Sequence, residues 1–397
     1  MYKSILSLSL FALLISCSSD DDNNIITPSL DVPDAYSFER DGSSTVSFSG
    51  QTQRIMMGDE LKVALLDNTK TADQLQSMYA HQEGDADFSD PMLNASSKNL
   101  RSKTAASMDY FFANSTESNQ IKNQIETWLA NQANDVFTNW NTSAQIGQAG
   151  QIQEAGGGSI RWVNEKGLEY DQSVVLTLFG AVMTDQMLNN YLSPAVLDEG
   201  NNIANNNDGI TEGASNYTTM EHKWDEAFGY LYGTDNPTNP QLGQDSYLNK
   251  YLGRVENDSD FSGIATEIYD AFILGRAAIV ANDYELRDQQ AEIIKEKISK
   301  IIGIRAVYYL QQAKSGFPNN LGAAFHDLSE AYGFINSLQF TRMPNSDSPY
   351  FSKSEVDVML ATMMEGDGFW DITEDTLDDF SNQISERFNF TTAEAAN

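Results

Sequence analysis

Apolar residues recur along most of this chain at intervals of three and four, the spacing that lays one face of an α-helix against a core. On that spacing the sequence predicts helices over 58–68, 118–139, 169–192, 217–232, 263–282, 285–313, 322–338, 354–365 and 374–387. Local chemistry marks two of the starts. Ser352 or Ser354 stands before EVDVMLATMM, and Thr373 stands before EDTLDDFSNQI, hydroxyls able to cap free backbone N–H groups. Ile293, Ile294, Ile298, Ile301, Ile302, Val307 and Leu310 form a long apolar seam within one helix. Period-two alternation is confined to STVSFSG, residues 44–50, which reads as a strand or an ordered arm. The loops at 198–213, 233–245 and 314–320 are rich in Asn, Gly and Asp. The first fails as a calcium loop, because Gly209 at the sixth place puts Ala204 at the first and Ser215 at the twelfth. It reads as a turn-rich connector. The expected fold is all-α: two related helical bundles, 36–250 and 251–397, with a short extended N-terminal arm.

The ends and the charge add a location. Residues 1–16 read as a lipoprotein signal peptide: Lys3 is followed by an apolar run, 5–15, too short to span a bilayer. Leu14-Ile15-Ser16-Cys17 resembles a bacterial lipobox, which makes Cys17 the expected lipidation site and the membrane the expected partner. An ordinary signal peptide with a chance cysteine is the other reading. Cys17 is the only cysteine, so an intrachain disulfide is impossible. Residues 17–35 read as an acidic disordered tether. The run after Cys17 resembles the export signal of Bacteroidota-type surface lipoproteins, a plain spacer being the alternative. The expected place is the outer membrane, surface-exposed, with the periplasmic face as the other possibility. Lys and Arg total 24 and Asp and Glu 57, a formal charge of −33. That balance excludes nucleic acid as a partner and favours cationic ligands.

Candidate chemistry lies in a repeat. HKWDEAFGY, 222–230, and HDLSEAYGF, 326–334, both read His-x-x-x-Glu-Ala-aromatic-Gly-aromatic, and they contain two of the three histidines. Such self-similarity predicts a duplicated bundle. On a helix His222, Glu226, Gly229 and Gly233 form one stripe, and His326, Glu330, Gly333 and Ser337 form its counterpart. Trp224, Phe228 and Leu231, like Leu328, Tyr332 and Ile335, lie on the opposite face. Glycine inside a helix costs about 1 kcal/mol relative to alanine. Its repetition predicts close approach of a backbone or a ligand, so Gly229, Gly333 and Tyr230 are candidate ligand-lining residues. An imidazole and a carboxylate one turn apart suit a divalent metal such as iron or zinc, and Asp225 could add an oxygen. If a pseudo-twofold brought the stripes together, His222, Glu226, His326 and Glu330 would hold the ion. Otherwise each Glu merely orients its His and each Gly admits a neighbouring helix. His81 lies outside the repeat and reads as a loop or helix-end residue. No His-Glu-x-x-His and no Gly-x-Ser-x-Gly occurs, so a metallopeptidase is the weaker reading and the histidines are expected to be ligands.

These residues resemble the imelysin-like superfamily, exported α-helical proteins of two related bundles with a Gly-x-His-x-x-Glu helix motif. Met220, His222 and Asp225 match its positions, or Glu226 with the carboxylate shifted by one; the glycine is absent. The chain is more similar to a branch of Bacteroidota lipoproteins, domain-of-unknown-function family 4856. That likeness is carried by FERDGSSTVSFSGQTQRIMMGDEL, 38–61, and EHKWDEAFGY, 221–230. The resemblance implies metal- or iron-linked uptake ahead of catalysis. The expected function is therefore a lipid-anchored exported binding protein that captures a metal ion or metal-bearing ligand for an iron-linked uptake system. The alternative is a binding partner of an outer-membrane transporter for peptides or glycans, its His-Glu site only structural.

Overall fold

The first helix starts at Ser49, ahead of the position that the apolar spacing assigns. In the computed structural model, which describes residues 30–397, eleven helices have eight residues or more. They are α1 Ser49–Ala64, α2 Ala72–Tyr79, α3 Ser115–Asn131, α4 Tyr170–Leu178, α5 Thr219–Tyr232, α6 Leu248–Glu256, α7 Ile264–Val280, α8 Tyr284–Gly316, α9 Leu321–Ser337, α10 Lys353–Met363 and α11 Glu374–Phe388. The chain continues beyond α4 through π-helical turns at Phe179–Thr184 and Met187–Tyr191, close to the predicted end. Ser352 caps α10, accepting from Glu355 N while the Glu355 carboxylate accepts from Ser352 N. Thr373 caps α11 in the simpler way. Two helices were not legible from periodicity: α2 is too short for it, and α6 lies in the stretch read as a boundary.

Extended structure is minor. β1 Glu39–Arg40 and β2 Ser43–Ser44 pair antiparallel across a turn in which Asp41 and Gly42 both take positive φ. Of the alternating stretch 44–50, only Ser44 joins a ladder, and Ser49 is already helical. A second antiparallel pair, β3 Gly150–Gln153 and β4 Ile160–Val163, was not predicted. The fold is all-α with these two small hairpins added.

The helix α8 organises the C-terminal half, packing against α6, α7, α9 and α11. Its seam is buried as expected from Ile294 to Leu310, but Ile293 turns outward and is exposed. The helix α9 lies between α8 and α4, and α5 lies against α1, α7 and the turn Met187–Tyr191. The buried apolar side chains, from Tyr36 to Ala395, form one cluster that continues across residue 250. Among the described residues no helix is long and apolar enough to cross a membrane. The signal peptide, Cys17 and the tether as far as residue 29 lie outside the described residues.

Candidate functional site

Helix α5 begins with a capping box, in which Thr218 accepts from Glu221 N and Glu221 accepts from Thr218 N. Glu221 also meets Arg40 at 3.0 Å and Arg276 at 3.1 Å, so the helix start is tied to the arm and to α7. One turn on, Asp225 is wholly enclosed. Its carboxylate accepts from Tyr36 Oη at 2.6 Å, Arg276 Nε at 3.1 Å and Ser47 N at 3.1 Å. Burial raises its pKa above the ordinary value, against the pull of Arg276. Asp225 is thus tied into the core by three donors and does not line the cavity that His222 faces.

His222 faces elsewhere. Its ring stacks on Tyr217 at 4.6 Å, and Nδ1 donates to the Ser47 carbonyl at 3.0 Å, leaving Nε2 to a cavity of about 480 Å³. Glu226 lines the same cavity but does not orient the ring. It accepts from Gln51 Nε2 at 3.0 Å and Lys223 Nζ at 2.9 Å. Burial would raise the Glu226 carboxyl, but Lys223, His222 and these hydrogen bonds outweigh it and hold the group below its usual range. Gly229 is a seat for α1: a Cβ there would stand 2.4 Å from Phe48 Cβ and 3.1 Å from Gln51 Cβ. Tyr230 is fully buried with its hydroxyl beside Arg54, and burial pushes it up to about 12. Neither Gly229 nor Tyr230 lines the cavity.

Helix α9 repeats part of this arrangement with different partners. His326 Nδ1 donates to Glu169 Oε2 at 2.8 Å, while Nε2 stands 4.0 Å from Glu330 Oε2. Burial lowers the imidazole pKa, but the charge and hydrogen bond of Glu169, aided by Glu330, win and raise it to about 9. The two carboxylates thus favour the protonated form of the ring. Glu330 accepts from Tyr251 Oη at 3.1 Å. Gly333 seats α4, since a Cβ there would stand 2.4 Å from Leu176 Cβ, and so it is not ligand-lining either. His326 and Glu330 line a second cavity of about 550 Å³, together with Arg305 and Asp327. Burial holds Asp327 up at about 7, and likewise Asp171, with Glu169 adding to the effect on the latter.

The two cavities share no lining residue. The structure brings His222 to Glu226 and His326 to Glu330 without bringing the pairs together, because α5 turns its stripe to α1 and α9 turns its own to α4. Among the described residues no three His, Cys, Asp or Glu side chains are grouped to hold a metal ion. The four-ligand arrangement conceived from the repeat is therefore not formed. His81 sits just past α2, buried, with Nδ1 on Asp87 Oδ2 at 2.6 Å. Sequence reasoning missed Glu169, which lies 157 residues from the histidine it clamps. It also missed the cations of the first cavity: Arg54, Lys98, Lys103 and Lys223 converge from separate segments with no local motif.

The family described as Domain of unknown function (DUF4856) matches residues 33–391. The chain belongs to this family. Comparison with curated proteins and with solved structures finds no match. The DUF4856 match begins ahead of the arm and ends beyond α11, so both His-Glu helices, the first cavity and all of the second cavity's lining but Asn397 lie inside it.

Proposed function

We propose that this DUF4856 chain is a lipid-anchored exported binding protein that captures a metal-bearing ligand for an iron-linked uptake system. In this reading it is a duplicated, imelysin-like fold anchored through Cys17 to the outer membrane, with the body at the cell surface. One observation carries the reading: each His-Glu face opens on a cavity, while the glycine of the same stripe seats a neighbouring helix. Equivalent stripes performing both tasks support a duplication that preserved two binding faces. The cargo is better read as a complex than as a bare ion. Both Glu226 oxygens are engaged, and an imidazolium at His326 has no lone pair to offer. A metal that arrives inside its own chelator needs few protein donors, and His222 Nε2 can supply one. Neither cavity pairs a nucleophile with a base, which favours binding over peptide cleavage.

The test is equilibrium binding of bare zinc, bare ferrous iron and ferric citrate to the full-length protein, with His222→Ala and His326→Ala variants alongside. Retention of the ferric complex, weakened by His222→Ala, is the expected result. Stoichiometric bare metal lost only in the double variant would restore the bare-ion reading. Binding of none of the three would turn attention to a transporter partner for peptides or glycans.

A further inference from the structure

We infer that the first cavity is an anion site, built to hold a small multivalent oxyanion between Arg54, Lys98, Lys103 and the N-terminus of α1. This deepens the binding-protein reading and rests on it, by naming the chemical class that the cavity takes.

The charge balance of the chain makes the site unexpected. With 57 acidic and 24 basic residues, a cation should find a carboxylate easily. Yet among the described residues none lies within 4.0 Å of Arg54, Lys98 or Lys103. Arg54 is only 6% exposed, and its guanidinium donates to the carbonyls of Asn99 at 3.1 Å and Gly50 at 3.2 Å and lies beside the Tyr230 hydroxyl, with no carboxylate in contact. A buried cation without a counter-charge is costly, and such groups are normally paired or hold a ligand. Lys103 is placed without a carboxylate as well. Its ammonium stands 5.4 Å from the Tyr191 ring centroid, and that of Lys223 stands 5.6 Å from the same ring.

The backbone contributes in the same sense. Helix α1 has sixteen residues, Phe48 at its N-cap offers no side-chain acceptor, and its first turn holds no acid. Gln51 N is taken by the Phe48 carbonyl and Asp225 accepts from Ser47 N ahead of the helix, which leaves the Ser49 and Gly50 N–H groups as the free donors of that turn. Ser49 and Gly50 of that turn line the cavity. The cations reach across it: a Cβ on Gly50 would stand 3.3 Å from Lys98 Cε and 3.5 Å from Arg54 Nη1. Two carboxylates also line the cavity, but Glu226 is engaged with Lys223 and Gln51, and Glu199 is exposed. The like charges are close enough to be felt. Burial, then Arg54, with Lys223 and Lys98 adding, brings Lys103 down to about 8 despite Glu226. The volume of about 480 Å³ falls within the range of about 300–1,000 Å³ of small-molecule sites. Carboxylate and phosphate groups satisfy this donor set equally, so the shared chemistry is a compact oxyanion.

Calorimetric titration of the full-length, metal-free protein with citrate and with inorganic phosphate tests the assignment. Binding that weakens steeply with salt is expected, and Lys98→Gln with Lys103→Gln should weaken it about tenfold or more. A second variant, Glu226→Gln, releases Lys223 and should leave affinity equal or higher. Competition between the two probes decides whether carboxylate or phosphate is preferred. Absence of binding by both, or affinity indifferent to the lysine changes, would overturn the anion site. Ferric citrate binding that ignores those lysines would do so while leaving the uptake reading intact. Citrate binding without ferric citrate binding would uphold the anion site and sink the iron-linked reading.

Discussion

His326 and His222 hold matching places in two helices, and the fold uses them differently. A carbonyl takes the proton of one; a carboxylate takes that of the other. The second arrangement sets a pH dependence. The His326 pKa of about 9 lies above the ordinary 6.5, so its stabilisation is complete below 6.5 and lost as pH rises through 9. Asp327 and Asp171, raised from 3.8 to about 7, also bind protons more tightly in the folded state, so they act in the same direction at lower pH. Melting temperature should therefore fall between pH 6.5 and 9, and Glu169→Gln should lower stability at pH 6.5 and flatten that slope. An unchanged slope would mean that the pair is not its source. Little of this was readable beforehand. The i,i+4 stripe is local and was legible, but Ser47 and Glu169 lie 175 and 157 residues from the rings they bond. Asp225 looked available for the same reason, since Arg276 and Tyr36 reach it only through the tertiary fold.

At the scale of elements, signals that act within one turn were readable and those that act between helices were not. Ser352 and Thr373 cap the helices they precede because capping is a contact of three residues. The start of α1 was hidden because the alternation of 44–50 read as extended and the helix was begun only at Gly58. Gly58 in fact lies inside α1, where Tyr247 explains it, its hydroxyl lying 2.1 Å from where a Cβ would stand. The repeated glycines were correctly read as points of close approach, and what approaches is a helix. Gly229→Ala and Gly333→Ala should therefore each destabilise the protein. The helix-propensity gain of about 1 kcal/mol is set against overpacking of about 1–3 kcal/mol, at contacts of 2.4 Å to Phe48 and Leu176. Denaturant unfolding measures the balance, and an alanine variant as stable as its parent would show that the helices have room to separate.

For the whole molecule, the all-α class was legible from periodicity, while the distribution of charge was not. A net −33 pointed to cationic ligands, yet one cavity gathers four of the 24 basic side chains. Net charge is a sum, and a binding site depends on local departures from it. The sequence also suggested bundles meeting near residue 250, but the buried cluster continues across that point. Trp224 Nε1 donates to Phe272 O at 3.0 Å, Arg276 pairs with Asp225 and Glu221, and α9 lies on α4. A cut at 250 would expose all of these surfaces. Calorimetry should show one cooperative transition, and fragments 36–250 and 251–397 made separately should not fold. A cooperative melt from either fragment would count against a shared core.

The arm also makes the first cavity a mechanical element. Tension applied to the chain ahead of Leu30 reaches the body at Tyr36, whose hydroxyl is fastened to Asp225, and then at Ser47, whose N–H and carbonyl hold Asp225 and His222. Ser47 is part of the cavity wall, and Phe48 is wedged at Gly229. Once the Tyr36 contact gives, the load falls on the rim of that cavity, whereas the second cavity is walled by residues from Arg254 onward and stays out of the line of force. By reciprocity, an occupant that binds only the intact rim stiffens the arm, so the strain the arm can bear and the occupancy of the cavity become a single equilibrium.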